Sequence, residues 1–414
     1  MERENTCKAL VFKEVDVIQY DNIPFPEIEK PTDAIMRVLV SGICGSDLHP
    51  FHGKEECAIN TAFGHECVGE VIKLGSEVKG IEIGSTYIAP FSVACGKCFQ
   101  CKNNLSSRCK HSELLGWRNP ETGVGLQGGQ SEYVRIPQAE GSLYPLSLTL
   151  SLEEGLLLGD IAATAAFCAV NANLCRNSIG NTVADLKLLI ESNLGKRRDP
   201  DNPKPLDSPV YAVIGCGPVG LLTIAMARVI LYMQGYVSTV IFAIDAVEDR
   251  LKFAEKWGAV PLKLDLQAGT SSESNAMIKN AICEKSKELA RSGLGADACM
   301  ECVGSPSALD LAYEVLAPGG TLSSIGVHSG TFPFTPSQGY DKNITYRTGR
   351  CPARSLMKSA EFLLQYAKDS LNINMVEIIT HQFNLSDGEK AYEMFDQKQD
   401  GCLKTVLYPD KTEN

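Results

Sequence analysis

One short stretch, GICGSDLHPFHGKEECAINTAFGHE over residues 42–66, gathers Cys44, Ser46, Asp47, His49, His65 and Glu66, side chains whose types could do chemistry. A thiolate beside an imidazole suits a borderline-soft metal such as zinc. Two ligands do not complete a site, because a catalytic zinc takes three protein ligands and keeps one position open. A second group is spaced C-x2-C-x2-C-x7-C at Cys95, Cys98, Cys101 and Cys109. Four thiolates at such intervals can close tetrahedrally around zinc and leave no room for substrate, which marks a structural site. An iron–sulfur cluster is the alternative that cysteine spacing leaves open.

A third group is the glycine-rich run Gly215, Cys216, Gly217, Pro218, Val219, Gly220. Alone, Gly-x-Gly-x-x-Gly says little. Here it lies between an apolar strand, Val210 to Ile214, and the helical run LLTIAMARVILYM, and in that place it is a dinucleotide fingerprint. The glycines allow a tight turn and close backbone approach, and the helix N-terminus faces the pyrophosphate. The next strand, Thr239 to Ile244, ends at Asp245. A carboxylate there can accept hydrogen bonds from both adenine-ribose hydroxyls and repels a 2′-phosphate, which favours NAD over NADP. The separation is longer than the usual ~20 residues, and a helix-capping role for Asp245 is the competing reading.

These groups need elements to hold them. Alternating apolar residues over Ala9 to Phe12 and Ala34 to Val40 predict β-strands, with Cys44 in the loop that follows the second. The run GHECVGEVIKLGSEV feeds His65 from a loop into another strand and a tight turn. LLLGDIAATAAFCAV, residues 156–170, predicts a helix containing the lone carboxylate of Asp160, which is costly to bury unless paired or metal-bound. An N-cap is its plainer role, and Glu153 and Glu154 read as exposed carboxylates at a helix start. Residues 173–209 form an inserted segment, with a short helix over Val183 to Ser192 and then a charged, proline-rich loop. Beyond Asp245 the pattern continues with a helix at Glu248 to Trp257, a strand from Asp297 to Glu301, a helix near Ser307 to Leu316 and the strand TLSSIGV. This is a doubly wound βαβ pattern.

At 414 residues the chain suits two domains. Its 39 Lys plus Arg against 50 Asp plus Glu give a net charge of -11, with the basic residues scattered, so nucleic acid is not an expected partner. No apolar run reaches the ~20 residues of a membrane span, and no signal peptide opens the sequence. The 16 cysteines therefore read as ligands and reduced thiols in a cytoplasmic enzyme.

The spacing GHE-x2-G-x5-G-x2-V, at Gly64, His65, Glu66, Gly69, Gly75 and Val78, resembles the signature of zinc-containing alcohol dehydrogenases, in the medium-chain dehydrogenase/reductase superfamily. The resemblance covers nearly the whole chain apart from the insert. It implies an α/β protein with a GroES-like, mostly-β catalytic domain over residues 1–172 and 340–414 and a Rossmann domain over 210–339. It implies two zinc ions per chain and NAD. The catalytic zinc would be held by Cys44, His65 and Asp160, the last as in the branch similar to formaldehyde dehydrogenases, and the structural zinc by the four-cysteine lobe. Ser46 would take the alcohol proton and His49 would end the relay, with Glu66 behind the ligands or exchanging with them. Thr164, Arg250, Ile325, Gly326 and Val327 join the glycine run and Asp245 as cofactor residues, and Arg350 and Lys404 would approach its phosphates. The substrate would be a small alcohol or aldehyde, and the assembly a homodimer or homotetramer. A polyol or threonine dehydrogenase is the nearest alternative, and a non-catalytic binding or structural protein on this fold is the alternative of another class.

Overall fold

The computed structural model describes residues 5–174, 183–194, 209–236, 239–265, 271–289, 293–328 and 330–409. The chain forms two compact units, one of residues 1–163, 352–357 and 376–414, the other of residues 164–351 and 358–375.

The first unit is built mainly of β-strands, as its alternating apolar residues predict. A three-stranded sheet pairs Thr6–Glu14 with Val17–Pro24 and Thr61–Ala62. The larger sheet runs, strand by strand, Tyr144–Pro145, Thr86–Ala89, Cys67–Leu74, Ala34–Ile43, Lys404–Tyr408 and Ile379–Asn384, with Tyr133–Ile136 also on Ala34–Ile43. Ala34–Ile43 is therefore central, and all but two of its residues are buried. Its register matters for chemistry. Ser41 lies opposite Cys67, and Ile43 lies opposite Thr405. The loop carrying Cys44, the end of the loop carrying His65 and Glu66, and the start of the strand carrying Lys404 thus meet at one corner. Met36, Val38, Val71, Val134 and Ile136 pack the apolar cluster beneath this sheet.

Two expectations change in this unit. The run predicted as one helix from Leu156 is two, Leu152–Gly159 and Ile161–Asn171, and Asp160 breaks them with φ -143° and ψ -80°. Glu154 is not an exposed lead-in carboxylate but is buried, closing a capping box with Ser151. Glu153 accepts a hydrogen bond from Tyr408 Oη at 2.6 Å.

The second unit is a six-stranded parallel sheet in the order Val260–Lys263, Val240–Asp245, Val210–Ile214, Ala296–Glu301, Leu316–Ser324, Thr345–Thr348. Parallel strands need crossover connections, and the helices Pro218–Met233, Glu248–Lys256, Ser271–Glu288 and Pro306–Val315 supply them. Its core joins Ala212, Ile214, Phe242 and Ile244 to Leu309, Leu311 and Ala312. The registry pairs Ile214 with Ile244 and with Glu301, and Glu301 with Ser324, so four strand ends lie in one row. In open α/β sheets this carboxyl edge is where ligands bind. The chain does not return to the first unit at residue 340, because Thr345–Thr348 adds the edge strand of this sheet. The helix expected in the insert spans Val183–Asn193, and the charged loop after it lies outside the described residues apart from its ends. Among the described residues, no helix is long and apolar enough to cross a membrane.

Candidate metal and dinucleotide sites

Cys44, His65, Glu66 and Asp160 bring four potential ligand atoms within 4.8 Å of one another. Asp160 Oδ2 lies 3.2 Å from His65 Nε2 and 3.7 Å from Cys44 Sγ. The break between the two helices is what turns this carboxylate toward strand-end residues more than ninety positions away in sequence.

The surroundings hold these donors in place. Asp47 Oδ1 is 2.9 Å from His65 Nδ1, which leaves Nε2 for the cluster. The other oxygen, Oδ2, accepts from the backbone N–H of Cys44 at 2.9 Å and from Gln130 Nε2 at 3.2 Å. Tyr392 Oη in turn donates to Gln130 Oε1 at 2.7 Å. A carboxylate behind a ligating histidine fixes its tautomer and raises its basicity. Burial alone would lower the His65 pKa, but Asp47 and Asp160 hold it well above its ordinary value. Burial pushes the Cys44 thiol up, while His65 pulls it down.

Glu66 is fully buried. Its Oε2 pairs with Lys404 Nζ, which also donates to Ile43 O at 2.9 Å, while its Oε1 has no hydrogen-bond partner. Lys404 therefore does not reach toward cofactor phosphates. The pairing of its strand with Ala34–Ile43 buries it behind the ligand cluster, and breaking such a buried pair costs about 3–5 kcal/mol. The backbone is just as close, since a Cβ on Gly42 would collide with Glu66 Oε2.

The donor set fits zinc. Sulfur, imidazole nitrogen and carboxylate oxygen converge in a largely buried place, with an orphaned carboxylate oxygen on the fourth member. Ser46 Oγ sits beside them, 3.2 Å from Cys44 Sγ and 3.4 Å from His65 Nε2. The His49 side chain faces Glu55 at 3.4 Å and meets Ser46 only through the backbone, His49 N to Ser46 O.

Cys95, Cys98, Cys101 and Cys109 form the second ligand group, again within 4.8 Å. Cys109 Sγ accepts from Cys95 N at 3.2 Å and from His111 N at 3.3 Å. Backbone N–H groups of Cys101 and Lys110 hold Cys98 down at about 6, while burial and then its neighbours push Cys101 up to about 12. Four thiols this close can all ionise together only with a cation among them, because each thiolate repels the next.

In the second unit, Gly215 turns the chain with φ +85° and Gly217 caps the following helix with Pro218 at its first position. A Cβ on Gly220 would collide with Gly215 O, so the helix can pack this close only on glycine. Asp245 accepts from Cys216 N at 2.6 Å and Val247 N at 2.8 Å, with Arg250 Nη1 3.9 Å away. It lies at the strand end and does not cap the next helix through its side chain. Ile325, Gly326 and Val327 follow the strand end at Ser324, Thr164 lies on Ile161–Asn171, and Arg350 is exposed after the edge strand.

Residues 30–147 match the family described as alcohol dehydrogenase GroES-like domain, and residues 218–363 match that described as zinc-binding dehydrogenase. The chain is 32% identical to zinc-type alcohol dehydrogenase B of Aspergillus flavus over 95% of its own length and 80% of the relative's. The chain belongs to the zinc-type alcohol dehydrogenase family. A medium chain reductase/dehydrogenase of Acremonium sp is 38% identical over 81% of this dehydrogenase and 98% of the relative. The solved alcohol dehydrogenase from Thermus sp. ATN1 superimposes with a TM-score of 0.78 at 28% identity, over 97% of this chain and 100% of that one. The dehydrogenase is thus a zinc-dependent alcohol oxidoreductase with a GroES-like and a Rossmann-like domain.

What sequence reasoning missed is how the ligands are backed. Asp47 was singled out in the Cys44 stretch but given no role, although its place three residues after Cys44 was the available signal. Gln130 and the Glu66 contact of Lys404 arise from strand pairing and have no local signal.

Proposed function

We propose that this dehydrogenase oxidises a small alcohol or hydrated aldehyde with NAD, holds one catalytic and one structural zinc per chain, and works in the cytoplasm as a homo-oligomer. The observation that carries the reading is the convergence of Cys44, His65 and Asp160, with an aspartate as third ligand in keeping with the formaldehyde-dehydrogenase-like branch. Zinc bound there supplies Lewis-acid polarisation of a substrate oxygen. NAD supplies the hydride acceptor.

The chain's own residues do the rest. Ser46 Oγ is placed beside the ligand atoms to accept the hydroxyl proton of the substrate, and His49, half-buried on the short helix that follows and facing Glu55, is the relay's proposed outlet, reached from Ser46 through an intervening group and not by direct side-chain contact. Asp47 keeps His65 oriented, and Lys404 holds Glu66 Oε2 while leaving Oε1 free to enter the cluster. Asp245 presents a carboxylate where an adenine ribose would lie, against a 2′-phosphate.

The test is an NAD-coupled screen of purified protein over primary alcohols, polyols, hydroxy amino acids and hydrated formaldehyde, with and without glutathione, alongside metal analysis. Turnover of a primary alcohol or formaldehyde with two zincs per chain supports the reading. A preference for polyols or threonine moves the substrate, and fewer than two zincs removes a metal site.

A further inference from the structure

Glu301 is a carboxylate with no exposed surface at the end of a central strand, and four donors converge on it. Oε1 accepts from the backbone N–H groups of Val303 and Gly304, each at 2.7 Å. Oε2 accepts from Ser324 Oγ at 2.7 Å and lies 3.1 Å from His328 Nε2, which is itself 2.6 Å from Ser324 Oγ. The first pair of donors belongs to the turn after Glu301 and the second to the end of the neighbouring strand and the turn after it. Full burial of a carboxylate is expensive and is sustained only by such a set of partners.

The two turns are in backbone contact. Gly304 has φ +86°, a Cβ on it would stand 2.6 Å from Val327 O, and a Cβ on Gly326 would collide with Gly304 N. On the other side, the Val303 side chain lies over Gly215, and Cys302 N donates to Ile214 O at 2.9 Å. One side chain therefore ties together the turns that flank the glycine-rich loop and the Ile325–Val327 segment. Resting on the reading above that a dinucleotide lies along this edge, we propose that Glu301 is a positioning residue of the cofactor site. Its carboxylate, clamped by Ser324 and His328, fixes the backbone ledge of residues 302–304 and 325–327 against which the nicotinamide half must lie.

Glutamine is the discriminating replacement, because its single carbonyl oxygen can serve one pair of donors while its amide N–H groups confront the other. In Glu301→Gln, the Kd for NADH, read by fluorescence without substrate, should rise by about tenfold or more, the scale of one lost hydrogen bond to a charged group. The KM for NAD should rise with it, amide exchange at Val303 and Gly304 should quicken, and zinc content and the alcohol KM at saturating NAD should hold. A purely structural role would lower the melting temperature without that split. His328→Ala and Ser324→Ala each remove one donor and should weaken NADH binding, with His328→Gln, which keeps a donor, restoring it. An unchanged Kd in Glu301→Gln overturns the proposal, as does an unchanged Kd in both alanine variants should Glu301→Gln fail to fold. Wild-type protein that binds no NADH would overturn the cofactor reading as well, whereas tight wild-type binding with indifferent variants overturns the role of Glu301 alone.

Discussion

Asp47 and His65 share a hydrogen bond of 2.9 Å, while the other Asp47 oxygen accepts the backbone N–H of Cys44, so one carboxylate orients two ligands of the same cluster. Asp47→Asn keeps the shape but removes the charge behind the imidazole. Affinity for the catalytic zinc should fall about 10–100-fold, as for other partners behind a ligating histidine. Competition with a chelator measures it, and unchanged affinity would reduce Asp47 to a loop fastener.

Asp245 carries the cofactor preference. Asp245→Ser should shift the ratio of kcat/KM for NAD over NADP toward NADP by about tenfold or more, since a buried, hydrogen-bonded carboxylate no longer opposes the 2′-phosphate. The same change frees the N–H groups of Cys216 and Val247, so some loss with both cofactors should accompany it. Equal use of both cofactors by the unaltered enzyme would count against the assignment.

What was legible in the sequence, and what was not, follows the range of the interactions. Cys44, His65 and the four cysteines announce themselves by residue type and spacing. Gly215, Gly217 and Gly220 do so by their place between strand and helix. The break at Asp160 did have a local signal, Gly159 followed by Asp160 inside the apolar run, and the capping role read for Asp160 pointed to it, but the apolar residues on both sides favoured one continuous helix. Lys404 was misplaced for a related reason. Only the pairing of Thr405 with Ile43 reveals that its ammonium points behind Glu66, and the contact of Lys404 with Ile43, 361 positions apart, cannot be seen in a short window. The convergence of Ser324 and His328 on Glu301 is likewise a product of register.

The four-cysteine lobe should behave as a folding element. Cys95→Ser should lose one zinc and lower the thermal midpoint, because structural zinc contributes directly to folding. The folded fraction should keep its catalytic zinc. Metal analysis with calorimetry checks this, and an unaltered midpoint with two zincs retained would remove the structural role.

His52, which belongs to neither metal-ligand group, gives a pH dependence of its own. Its ring bridges Asp396 at 2.8 Å and Asp16 at 2.6 Å, and these hydrogen bonds, the one to Asp396 foremost, raise its pKa above the ordinary histidine value. A folded pKa above the unfolded one stabilises the protein fully below about 6.5, and the gain is lost as pH climbs through the raised folded value. The thermal midpoint of wild type should therefore exceed that of His52→Gln at pH 6, with the gap narrowing toward pH 9. A gap that is flat or widens with pH would contradict the assignment.

Asp160 decides the catalytic site. It sits where two helices meet, 3.2 Å from His65 Nε2, and a residue in such a junction could serve the backbone alone. Asn would then replace it at little cost, since it has nearly the same shape and Asp160 stands as the residue that ends Leu152–Gly159. As a metal ligand the outcome differs, because a neutral amide oxygen replaces an anionic one facing a divalent cation. Asp160→Asn should then lose turnover and the catalytic zinc together, retain one zinc in the four-cysteine lobe, and bind NADH with wild-type affinity. Glu66 gives the experiment its second arm, since it is the other carboxylate in the cluster and its Oε1 has no hydrogen-bond partner. A variant that keeps two zincs and a near-normal rate would transfer the third position to Glu66, and Asp160→Asn combined with Glu66→Gln should then empty the site where neither change alone does.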